Sequence, residues 1–89
     1  MADDEAMVEQ VLRDTLSDVL GIDPARAAAF NADSGLFGHL PELDSMAVAT
    51  LLTELEDRLG ITIDDEDVDI EQFERFGGLL SMLRAKALR

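Results

Sequence analysis

Two glycines, Gly21 and Gly60, each close a run of apolar residues spaced three and four apart. That spacing gathers the apolar side chains on one face of an α-helix, and glycine just past the last turn is a preferred stop. Ahead of Gly21 the stripe is Val8, Val11, Leu12, Thr15, Leu16, Val19 and Leu20. Asp3 or Asp4 can cap this helix, with Glu5 and Glu9 near its positive end. Ahead of Gly60 a helix starts at Asp44 or Ser45 and runs to Leu59. Its apolar side is expected to hold Met46, Ala49, Leu52, Leu55 and Leu59, reinforced by Val48 and Leu51. A last helix is expected over about 70–87, with Phe73, Phe76, Leu79, Leu80 and Leu83 inward and Arg84, Lys86 and Arg89 at its negative end. Gly77-Gly78 weakens that helix by roughly 1 kcal/mol per glycine relative to alanine. A kink or a close helix contact is expected there.

The rest of the chain connects these helices. From Ile22 to Asp44 runs a long loop, in which Pro24 can open a short helical piece over about 24–29. Asn31 to Gly35 and Gly38 to Pro41 are turn material, and Leu36, Phe37, Leu40 and Leu43 are expected to dip into the core and pin the loop. Ile61-Thr62-Ile63 alternates like a strand but has no partner, and reads as an extended connector. Asp64 to Asp69 sets five carboxylates around Val68, a candidate short helix over about 64–69. The fold class that follows is all-α: a bundle of three main helices, about 4–20, 45–59 and 70–87, plus one or two short ones. Residues 1–89 are expected to form a single domain.

Twenty acidic residues against seven basic ones give a net charge of -13. Such a surface repels phosphate backbones and anionic lipid headgroups, which argues against nucleic acids and membrane surfaces as partners, and against stable membrane insertion, and favours proteins with basic patches. The chain has no cysteine, so disulfides, thiolate metal sites and a cysteine nucleophile are all excluded. No apolar run approaches the roughly 20 residues that cross a bilayer, and the acidic start is unlike a signal peptide. The expected location is cytoplasmic and the expected state monomeric.

The chemistry concentrates at Leu43-Asp44-Ser45-Met46, where the loop gives way to the second main helix. On local grounds a serine or aspartate there is simply an N-cap. A capping box is absent, because Val48 stands three residues beyond Ser45. The wider pattern says more. In Glu42-Leu43-Asp44-Ser45-Met46-Ala47-Val48-Ala49-Thr50-Leu51-Leu52 an Asp-Ser pair sits between a long loop and a Leu-rich helix, within a short, acidic, helical chain. This resembles the phosphopantetheine attachment region of acyl carrier proteins, and the likeness extends over nearly the whole chain. The segment Gly38 to Val48 also resembles carriers encoded beside bacterial exopolysaccharide or protein-sorting clusters.

The resemblance implies a carrier with no catalysis of its own. Ser45 would receive a 4'-phosphopantetheine arm from coenzyme A through a phosphopantetheinyl transferase, supported by Asp44. The arm's thiol would hold acyl groups as thioesters for acyl-transferring and acyl-modifying enzymes of fatty-acid, polyketide or related lipid biosynthesis. Asp44, Glu54, Glu56 and Asp57 would dock basic patches on those partners, and Met46 would be an apolar contact beside them. Ala47 and Thr50 stand where many fatty-acid carriers have acids, which suggests a specialised carrier. Small Ala47 and Ala49 are expected to leave room for an acyl chain between helices. The alternatives are an aminoacyl or peptidyl carrier and an unmodified helical adaptor in which Ser45 only caps.

Two further constellations fail on inspection. From Asp65 onward acids occupy the first, third and fifth positions of a calcium loop, but Ile70 stands where the turn needs glycine and Phe76 where the bidentate glutamate belongs. No metal site is expected. His39 is the only histidine, and a Ser45-His39-acid triad lacks an oxyanion-hole loop and room for a substrate pocket.

Overall fold

The structure, a computed structural model, describes residues 2–88. Among the described residues five α-helices follow in order, α1 (Ala2–Leu20), α2 (Pro24–Ala28), α3 (Ser45–Leu59), α4 (Ile70–Phe73) and α5 (Phe76–Ala87), with one 3-10 turn at Asp65–Asp67. Asp3 and Asp4 lie inside α1 rather than at its cap, and Arg89 lies outside the described residues. There is no strand among the described residues, and none of their helices is long and apolar enough to cross a membrane.

α1 is the hub of the core and touches α2, α3 and α5. Its Val8, Leu12 and Leu16 are fully buried, one turn apart, as the stripe requires. Thr15 is buried with them, and its hydroxyl donates to the Val11 carbonyl at 2.6 Å, which satisfies it inside the helix. Leu51 and Leu55 of α3 and Phe76, Leu79, Leu80, Met82 and Leu83 of α5 close the core. Leu36 and Leu43 enter it from the long loop, while Phe37 and Leu40 are half-buried beside it.

The buried side of α3 differs from the expected one. Its seam runs through Val48, Leu51, Leu52, Leu55 and Leu59, whereas Met46 is 81% exposed and Ala49 faces solvent. The seam keeps the helical period, while a line drawn through Met46 and Ala49 drifts off it. Ala49 therefore leaves no space inside the bundle.

The expected helix over 70–87 is two helices. The chain extends at Arg75 (φ -128°, ψ 149°), where it forms an antiparallel bridge with Gly35. Leu36 and Phe37 donate their N–H groups to the carbonyls of Glu74 (2.7 Å) and Phe73 (3.2 Å). In return, Phe76 and Gly77 donate to Ser34 (2.8 Å) and Ala32 (2.9 Å). Helix N-termini leave orphan N–H groups that side chains commonly cap. Here no side chain caps α5, and loop carbonyls do so instead. The break falls just before Gly77-Gly78, and those glycines serve the close contact. A Cβ on Gly77 would stand 2.9 Å from the Ala32 oxygen, and one on Gly78 would collide with the Gln72 carbonyl oxygen.

Candidate cofactor attachment site

The Asp-Ser pair divides its labour. Asp44 is the N-cap of α3: its backbone is extended, and its Oδ1 accepts the Ala47 N–H at 2.8 Å. Ser45 is thereby the first helical residue, fully outside the core, and among the described residues its hydroxyl has no hydrogen-bond partner. The N–H groups of Ser45 and Met46 are likewise uncommitted, while Ala47 and Val48 bond back to Asp44. A free primary hydroxyl thus stands beside free N–H groups at the positive end of a 15-residue helix. That is where a phosphate ester is electrostatically favoured. The residues present fit the attachment of a phosphate-linked arm.

The ground beneath Ser45 is held on both sides. Leu43 is buried, and its N–H donates to Leu40 at 3.0 Å. Arg26 of α2 reaches Glu42 at 3.0 Å. Glu42's own backbone N–H, and then Arg26, hold its carboxyl below the usual carboxylate range. Met46 projects beside Ser45 as the most exposed large apolar side chain among the described residues.

The acids expected to dock partners have unequal freedom. Asp57 is exposed. Glu54 shares Arg58 with Asp18 of α1, at 3.3 and 2.9 Å, and these carboxylates, Asp18 foremost, hold the guanidinium above its ordinary value. Glu56 is half-buried and accepts the Ile63 N–H at 2.8 Å, fastening the connector after Gly60. Its carboxylate is already engaged in the fold. Ala47 is half-buried, and Thr50 is exposed, its hydroxyl turned back to the Met46 carbonyl at 3.2 Å.

His39 is exposed on the loop, with its ring against Gly35, and no described hydrogen bond joins it to Ser45. Three shallow surface grooves are lined by other residues, and Ser45 borders none of them. Among the described residues no group of three His, Asp or Glu side chains is placed to hold a metal ion.

Arg13 is the side chain the sequence reading passed over. It bonds Glu9 at 2.7 Å and donates to the carbonyls of Ala27 (2.7 Å), Ala28 (3.2 Å) and Phe30 (2.9 Å). Its guanidinium also lies 4.7 Å over the Phe76 ring. It closes the C-terminal end of α2 from outside. The available signal was its spacing of four residues from Glu9 beside a stripe of core positions.

What these elements define is a small helical scaffold for one projecting hydroxyl. A profile of the phosphopantetheine attachment site matches residues 10–83, and the chain belongs to that family, whose cofactor is a covalently attached 4'-phosphopantetheine. Its fold is that of an acyl carrier protein. The holo acyl carrier protein of Nitrosomonas europaea, solved by solution NMR, is 36% identical, with a TM-score of 0.77 over 88% of this chain and 92% of that one. No curated protein sequence matches significantly. Membership of a family defined by cofactor attachment sets aside the unmodified adaptor.

Proposed function

We propose that Ser45 takes the 4'-phosphopantetheine arm and that the chain carries acyl groups on it to enzymes of fatty-acid, polyketide or related lipid biosynthesis. The observation that carries this reading is the division between Asp44 and Ser45. Asp44 satisfies the cap, so the Ser45 hydroxyl owes nothing to the fold. The arm, when bound, supplies a thiol that holds an acyl group as a thioester. The chain's own part is to present the hydroxyl, to steady the phosphate with the first-turn N–H groups, and to offer a docking surface. Having no cysteine, the chain presents no second thiol to compete.

Docking rests on Met46 as the apolar contact and on the acids around it, with Asp44 and Asp57 outward, Glu54 paired with Arg58, and Glu56 contributing its field from a fixed position. Basic patches on a phosphopantetheinyl transferase and on acyl-handling enzymes fit this surface, with weak, fast, salt-sensitive association. The low charge at Ala47 and Thr50 favours a specialised set of partners over those of housekeeping fatty-acid synthesis. The protein acts as a cytoplasmic monomer.

The test is intact mass after incubation with coenzyme A and a broad-specificity phosphopantetheinyl transferase. A gain of one arm that vanishes in Ser45→Ala is expected. An arm that persists in Ser45→Ala places the attachment elsewhere and overturns the assignment.

A further inference from the structure

A chain that carries thioesters is exposed to its own nucleophiles. An amine that attacks a thioester forms an amide, and the cargo is then lost for good. Here Lys86 is the only lysine among seven basic residues, and the other six are arginines. A guanidinium stays protonated and does not take acyl groups, whereas lysine is the ordinary acceptor. His39 can form only a labile acyl imidazole that water reopens. Lys86 is therefore the one side chain able to hold cargo as an amide.

The structure does not leave that nitrogen free. Lys86 Nζ lies 2.6 Å from Asp67 Oδ2, and both side chains are more than two-thirds buried, at 22% and 29% exposure. Asp67 also accepts the Asp64 N–H at 2.9 Å, so the carboxylate is fixed in the 3-10 turn. Gly60, Ile61, Thr62 and Asp64 form a groove with Lys86. The amine is thus tethered at the C-terminal end of α5, between the connector and the turn.

We propose that Lys86 is a latent acylation site for thioester-borne acyl groups, and that its ion pair with Asp67 holds it closed. The reaction it would otherwise undergo is balanced without a co-reactant. Nζ loses a proton to water, attacks the thioester carbonyl, the C–S bond breaks, and the departing thiolate takes up a proton as the amide forms. The purpose of the guard rests on the carrier reading above, but the chemistry does not. Free acetyl-coenzyme A presents the same thioester whether or not Ser45 is the attachment residue.

The experiment exposes the full chain to millimolar acetyl-coenzyme A and quantifies acetyl-Lys86 by peptide mass spectrometry. Asp67→Asn is expected to acetylate roughly fivefold faster than the wild type, the change that losing one modest ion pair brings. The wild type unfolded in urea should acetylate faster than the folded protein by at least as much, which keeps the test sound if Asp67→Asn folds poorly. Lys86→Arg should carry no side-chain amide. Equal rates in folded and unfolded wild type, or an Asp67→Asn chain that folds and acetylates at the wild-type rate, would overturn the proposal.

Discussion

The N–H of Gly77 donates to the carbonyl oxygen of Ala32 at 2.9 Å, which stitches the loop ahead of α3 to the first turn of α5. The two residues are distant in sequence, yet their backbones touch, because no side chain on Gly77 stands between the segments. The loop ahead of Ser45 is held to the bundle by this stitch and by the burial of Leu36 and Leu43.

Gly78→Ala should therefore destabilise the protein although alanine is the better helix former. The added Cβ meets the Gln72 backbone, which cannot swing aside as a side chain could. Overpacking of this kind costs about 1–3 kcal/mol, against a propensity gain of about 1 kcal/mol. Urea unfolding decides it, and a variant as stable as the wild type would show that the junction yields.

Arg13→Ala should cost roughly 2–3 kcal/mol, because three carbonyls and Glu9 lose one charged donor that is only 15% exposed. Arg13→Lys should recover only part of that, since an ammonium cannot span Glu9 and the α2 carbonyls with a planar fork. Thermal unfolding of both variants checks the order. Arg13→Lys matching the wild type would count against the fork.

The cap that Asp44 makes can be separated from the role proposed for it in attachment of the arm. Asp44→Ala removes the cap and should cost about 1 kcal/mol. Asp44→Asn keeps an acceptor oxygen for the Ala47 N–H and should leave stability nearly unchanged. Asp44→Asn should nevertheless slow attachment of the arm, if the carboxylate itself serves the transferase. Modification rates read alongside melting temperatures separate the two, and an Asp44→Asn chain modified at the wild-type rate confines Asp44 to capping.

Glu9 supplies a pH-dependent term. The Arg13 hydrogen bond outweighs partial burial, and with Arg84 it holds Glu9 below its ordinary value of 4.5. A carboxylate with a depressed folded pKa stabilises above the unfolded value and loses that stabilisation as pH falls through the folded one. The stability difference between wild type and Glu9→Gln should thus be full above about pH 4.5 and shrink below it. Taking the difference cancels the relief of the -13 charge that acid brings to both proteins alike. Denaturant midpoints from pH 7 down to 3 provide the measurement, and a constant difference would remove Glu9 from the acid response.

The helices were legible because their signals are local. Spacing located α1 and α3, Gly21 and Gly60 end them with positive φ, and the Asp44-Ser45 pair fell at a helix start as its chemistry suggested. What escaped has partners far along the chain. Arg13 serves carbonyls fourteen to seventeen residues away, and Glu56 serves the Ile63 N–H across the turn at Gly60. The break at Glu74 and Arg75 had only an indirect local signal in Gly77-Gly78 just after it, since neither residue is a helix breaker and the competing hydrogen bonds come from residues 32–37.

The amino-acid sequence by itself determined the helical class, the acidic thiol-free surface and the placing of one serine where a loop becomes a helix. Those properties follow from residue type and spacing, and no distant contact is needed to produce them. Only the tertiary structure decided which of Asp44 and Ser45 caps α3, which side of α3 meets the core, and where the last helix divides. The seam and the division depend on segments remote in sequence, the packing of α1 and the hydrogen bonds to residues 32–37, whereas the cap depends on a bond from Ala47 that residue type alone leaves open.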